Sequence, residues 1–167
     1  MIQKMCRLVV VMGFMGSMSA MAEHHSAFDK MKTMVGTWEG KLTRVTGEVV
    51  DTRSEFRLIA DGNTMIETLI EDGAEMLTTY TEFEGDLVVK HYCSLGTEPE
   101  FRVASESDDQ VALQLIKDSG LHAEHHSFVA AMTYNLAEVD NGSVVVDSII
   151  MNQGATVGGT AVIRRVK

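Results

Sequence analysis

The side chains best placed for chemistry lie in two short stretches. In Leu87-Val88-Val89-Lys90-His91-Tyr92-Cys93 successive side chains of an extended chain point to opposite sides, so Leu87, Val89, His91 and Cys93 share one face and Val88, Lys90 and Tyr92 the other. Lys90 marks its own face as outward, which turns His91 and Cys93 inward. An imidazole and a thiol two residues apart on a strand can share a soft metal such as zinc or copper with ligands from elsewhere. The same pair also fits a buried histidine, hydrogen-bonded to a neighbour, beside an inert thiol. The second stretch is Leu121-His122-Ala123-Glu124-His125-His126-Ser127. Read as a loop entering a strand, it sends His122, Glu124 and His126 to one side, a three-ligand pattern for a divalent metal; on a helix His122 and His126 would again share a face, and a solvated loop needs no ligand at all. His126 precedes Phe128, Ala130 and Met132 on the apolar face of its strand, so it is expected to reach toward His91. Glu67 could join His91 as an acid–base or ligand-orienting partner, although an outward, salt-bridging carboxylate is the expected reading. Nucleophile-elbow, phosphate-loop and His-Glu-x-x-His signatures are absent.

The elements that must hold these residues are strands. Apolar and polar residues alternate with period two in segment after segment. Strands are expected at 37–44, 49–59, 64–70, 76–83, 87–93, 101–105, 111–116, 126–137, 144–151 and 160–166, separated by turn signals such as Asp61-Gly62-Asn63, Asp72-Gly73, Glu84-Gly85-Asp86 and Asn141-Gly142, with Gly154 to Gly159 read as the last connection. Before them Ser26 and Asp29 form a capping pattern, and Phe28, Met31 and Val35 share a helical face, predicting a short helix over 27–34. About ten strands joined by hairpin turns imply an all-β, up-and-down antiparallel β-barrel, since closure removes the exposed edges of a long meander. A sandwich is the competing arrangement.

Residues 1–22 carry Lys4 and Arg7, an apolar run from Leu8 to Met15 and the small-residue ending Ala20-Met21-Ala22, the three parts of a secretory signal. Cleavage after Ala22 predicts a periplasmic or secreted domain over 23–167. The apolar run is shorter than the roughly 20 residues of a membrane span, and Cys6 precedes it, so no membrane anchor is expected. Without the signal, Lys plus Arg drops from 14 to 12 while Asp plus Glu stays at 24, taking the formal charge from −10 to −12. That balance argues against nucleic acid and anionic lipid and is compatible with cationic partners. Six of the 12 methionines leave as well, and Met31, Met34, Met65, Met76, Met132 and Met151 are scattered like core filler rather than clustered for copper. Cys93 then stands alone, which excludes an intrachain disulfide. If Glu23 becomes the amino terminus, His25 is third in the chain, a pattern able to ligate Cu(II) or Ni(II). Two-sided apolar runs at Val144-Val145-Val146 and Ile149-Ile150-Met151 suggest a strand covered on both faces, by the helix or by a homodimer partner.

Gly36-Thr37-Trp38-Glu39-Gly40 after a short helix resembles the Gly-x-Trp opening of lipocalin-like, or calycin, barrels, including the nitrobindin type. Thr64-Met65-Ile66-Glu67-Thr68-Leu69, Lys90-His91-Tyr92-Cys93 with Gly96 soon after, and His125-His126-Ser127 resemble a bacterial lipocalin-like family of exported proteins of unassigned function, over about residues 27 to 167. The resemblance implies a barrel with an internal cavity, opened by Gly36 and Trp38, and a basic residue of the last strand, Arg164 or Arg165, stacked on Trp38. It does not imply haem ligation in the nitrobindin manner, because His126 is the last histidine and the final strands hold none. Two functions follow as expectations. The first is a non-enzymatic protein holding a small, largely apolar molecule, with His91, Cys93, His126 and Glu67 as polar fixtures and no assigned catalytic residue. The alternative is a divalent-metal-binding protein or metal-dependent enzyme using His91, Cys93, His122 and His126, with zinc or copper as the metal.

Overall fold

The computed structural model describes residues 26–166; the expected signal segment and the Glu23-to-His25 pattern lie outside them. A helix, α1 (Ala27–Lys32), is followed by β1 (Gly36–Arg44), β2 (Val49–Ile59), β3 (Thr64–Glu71), β4 (Ala74–Phe83), β5 (Asp86–Tyr92), β6 (Glu100–Ser107), β7 (Gln110–Leu115), β8 (Ser127–Asn135), β9 (Ser143–Asn152) and β10 (Ala155–Arg165). Each strand pairs antiparallel with its neighbours in sequence, and β10 returns to pair with β1, closing an up-and-down barrel. Among the described residues closure leaves no strand without a neighbour on each side.

The alternation in the sequence becomes the inside and outside of the barrel. On β2, Val50, Thr52, Ser54 and Phe56 are buried while Val49, Asp51, Arg53, Glu55 and Arg57 are exposed. The core runs through Trp38, Phe56, Met65, Tyr80, Val89, Phe101, Leu113 and Val144. Apolar burial on this scale contributes about 25 cal/mol for each Å² removed from water.

Helix α1 stops up one end. Ser26 caps it by accepting the Asp29 amide at 3.2 Å, which satisfies an otherwise unpaired donor of the first turn. Phe28, Met31 and Met34 are buried against the barrel. The Trp38 indole donates to the Met34 carbonyl at 2.6 Å. The Arg165 guanidinium lies 4.3 Å over the Trp38 ring and donates to the Val35 and Thr33 carbonyls at 2.6 and 2.8 Å. Those carbonyls follow the helix, where no further turn supplies donors. Of the two candidate arginines, Arg165 is therefore the one that stacks.

One connection departs from the sequence expectation. Gly158 and Gly159 sit inside β10, which begins at Ala155 rather than Thr160, and the turn shortens to Gln153 and Gly154. These glycines are there for close approach. A Cβ on Gly158, whose φ is +153°, would fall 2.0 Å from the Ser148 carbonyl oxygen of β9, and one on Gly159 would fall 2.6 Å from the Thr43 carbonyl oxygen of β1. A residue without Cβ lets the last strand lie against both neighbours. The helix also ends two residues earlier than predicted, with Thr33 and Met34 closing it through amides donated to Lys30 and Met31.

Candidate functional site

The barrel encloses a cavity of about 530 Å³, within the ordinary range for small-molecule sites. Its lining includes Val45, Thr46, Ser94 and Leu95, all in connections at the end away from α1. The walls are largely apolar: Leu42, Phe56, Leu69, Met76, Val129, Val146, Ile150, Ala161 and Ile163. Against them stand a few polar groups, of which Ser54, Glu67, His91, Cys93 and Tyr134 come from four sequence segments.

Glu67 lies at the centre of this set, and its orientation corrects the outward reading. It is buried at 5% exposure on the inner face of β3, opposite Phe56 of β2 and Thr78 of β4. Ser54 Oγ donates to its Oε1 at 2.7 Å, and Tyr80 Oη donates to its Oε2 at 2.7 Å. The Tyr80 and Tyr134 hydroxyls are 2.7 Å apart; since Tyr80 spends its proton on Glu67, Tyr134 donates to Tyr80. Burial raises the Glu67 pKa above the usual carboxyl value, with the hydrogen bonds from Ser54, Tyr80 and Thr78 pulling it partly back. Burial likewise pushes both tyrosines up, and the Glu67 charge adds to it. The carboxyl is therefore largely withdrawn from solvent, and its partners among the described residues are neutral donors.

His91 faces the same space from β5. It is 3% exposed, and its Nδ1 lies 2.9 Å from Thr78 Oγ1. Burial lowers its pKa from 6.5 to about 4, so the imidazole is neutral at ordinary pH and keeps one nitrogen as an acceptor. The Thr78 hydroxyl lies between His91 and Glu67 and carries a single proton, so it can donate to only one of them at a time. Cys93 lines the cavity nearer the mouth. Burial raises its thiol above the usual value, which makes it a weak nucleophile.

The second histidine stretch does not join them. A β-bulge between Val129 and Ala131 shifts the register of β8 against β9. Before it Val129 faces the cavity, and after it Tyr134 does, so the inward face switches from odd to even positions. The expected continuity of His126 with Met132 is broken at that point. His126 instead ends the loop, its Nδ1 accepting the His122 amide at 2.9 Å, and the two rings stack with centroids 6.0 Å apart. Neither His122 nor His126 lines the cavity. Among the described residues no group of three or more His, Cys, Asp or Glu side chains is assembled to hold a metal ion. Tyr80, Tyr134, Ser54 and Thr78 were not anticipated, although their places on the inward faces of alternating strands mark them as polar groups in an apolar interior.

No protein-family model matches the sequence, and no curated protein matches it. Among solved structures the chain is similar to a protein of unknown function from the DUF3598 family of Nostoc punctiforme, at 13% identity and a TM-score of 0.61 over 81% of this chain. The chain spans 49% of that protein. It is also matched to a redesigned β-barrel at 10% identity and a TM-score of 0.44, over 86% of this chain and all of that one. A third match is EF1p2_mFAP2b bound to DFHBI, at 16% identity and a TM-score of 0.38, over 84% of this chain and all of that one. At such identity the likeness to the Nostoc punctiforme protein is one of fold alone.

Proposed function

We propose that this chain is an exported, lipocalin-like binding protein that holds a small, largely apolar molecule inside its barrel, in the periplasm or outside the cell. The observation that carries the reading is the pairing of a mostly apolar cavity of about 530 Å³ with polar groups from separate strands that converge in it. A packed structural barrel fills its interior with side chains. Here the helical plug fills one end, and the remaining space is shaped by Leu42, Met76, Val146 and Ala161 around Ser54, Glu67, His91 and Tyr134. Apolar walls supply the affinity, and the polar groups fix orientation.

The test is displacement of a neutral apolar dye, Nile red, from the mature protein recovered from its own exported form, together with native mass spectrometry of that protein. One dye per chain is expected, and Ala161→Phe, which sends a ring into the cavity from β10, is expected to weaken binding at least tenfold with cooperative unfolding retained. Unchanged dye affinity in a folded Ala161→Phe protein would place the binding elsewhere and overturn the reading.

A further inference from the structure

We propose that the molecule this cavity accepts carries a cationic nitrogen at one end of an apolar body, held by the carboxylate of Glu67. The inference rests on the binding reading above and adds the ligand's chemistry. Glu67 is buried on the cavity wall, yet its partners are the neutral hydroxyls of Ser54, Tyr80 and Thr78. Among the described residues no lysine or arginine is paired with it. A carboxyl buried without a cation is costly to ionise, and the same cost is repaid when a cation arrives in good geometry. The three donors occupy three of the roughly four sites that a carboxylate offers. Room for a further donor therefore remains on the cavity side.

The rest of the lining points the same way. Among the described residues Arg44 is the one lysine or arginine that lines the cavity, and it is engaged at the mouth by Glu48 at 2.5 Å and Asp72 at 3.4 Å. Glu48 and Glu71 also line the space, so an anionic ligand would meet three carboxyls and no uncommitted positive charge. An ammonium brings three donors and no acceptor. Glu67 can take one, and the Ser54 oxygen, which lines the same cavity, offers an acceptor for another. The acidic balance of the whole chain, −10, raises the local concentration of cations and speeds their arrival.

The test uses three molecules of one shape, n-octylamine, 1-octanol and octanoate, each competing with Nile red on the wild-type mature protein near neutral pH. Octylamine is expected to bind at least tenfold tighter than octanol, and octanoate to compete least. In Glu67→Gln the amine is expected to fall to within about threefold of the alcohol, with the alcohol unchanged. The wild-type protein supplies a readout that needs no variant: the titration midpoint of the Glu67 side-chain carboxyl carbon should fall on adding octylamine and stay in place on adding octanol. Equal affinity for amine and alcohol, a preference that survives in Glu67→Gln, or a Glu67 signal indifferent to the amine would each overturn the proposal. Nile red binding that remains sensitive to Ala161→Phe while the amine shows no advantage refutes the cationic ligand alone. Dye binding insensitive to Ala161→Phe refutes the cavity reading itself.

Discussion

Acidifying the protein should load a specific instability onto His91. The imidazole is buried, bonded to Thr78 through Nδ1, and its pKa is lowered from 6.5 to about 4 by desolvation. In the unfolded chain it takes up a proton as pH falls through about 6.5, while the native ring stays neutral until about 4. The unfolded state therefore binds more protons across that window, and native stability declines with falling pH until both forms are charged. At about 1.4 kcal/mol per tenfold change, the full effect approaches about 3 kcal/mol. Glu67 works in the opposite sense: its native pKa is raised, so the unfolded carboxyl loses its proton first as pH rises, and acidification through that range favours the native state. Glu71, also raised by burial, adds to the Glu67 effect. Comparing wild type with His91→Gln separates the terms, because both carboxyls are common to the two proteins. Urea unfolding of each at pH 7 and pH 4 should show the wild type losing about 2 to 3 kcal/mol more than the variant over the interval. Two stability profiles that run parallel within about 0.5 kcal/mol would show that the ring is charged or hydrated in the native barrel, and the reasoning from burial would fail.

Two further expectations concern the frame of the barrel. Gly158→Ala would set a methyl against the Ser148 carbonyl oxygen, at a φ side chains rarely adopt; a loss of roughly 2 to 4 kcal/mol is expected from the urea midpoint, and a neutral result would mean the two strands can part there. Arg165→Met removes the stack on Trp38 and both donors to the Thr33 and Val35 carbonyls. A loss of about 2 kcal/mol and a shift in tryptophan emission are expected, while Arg164→Met should change neither; equal losses from the two variants would contradict the assignment to Arg165.

Strand existence was legible because a barrel wall has one dry and one wet face, so Val50, Thr52, Ser54 and Phe56 could be counted against Asp51, Arg53, Glu55 and Arg57. The helix cap and the Trp38 plug were legible for similar local reasons. What could not be read was anything set by neighbours distant in sequence. The glycine pair at 158 and 159 looks like a turn, and only the carbonyls of Ser148 and Thr43 show why glycine is needed in the strand. Glu67 lies beside Ile66, which is also buried, at 9% exposure. That two-sided burial hid the direction of the carboxyl, and its partners on β2 and β4 depend on register. The bulge at Val129 to Ala131 breaks the parity argument for His126, and no residue in that stretch announces it.

The pairing of β1 with β10 has a consequence for how the molecule assembles. Arg165 meets Val35 across 130 residues of sequence, and Val166 donates to Thr37 on the same seam. Hairpins between successive strands can form early, since their loops are short, whereas this seam must wait for the largest loop closure in the domain. Until it forms, β1 and the growing meander present open edges on which a second chain could pair. The cavity too is incomplete until then, because Leu42 of β1 and Ala161 and Ile163 of β10 belong to its wall. Capacity to bind should therefore appear only with the slowest phase of refolding, making dye uptake a clock for the final closing step rather than for the formation of strands.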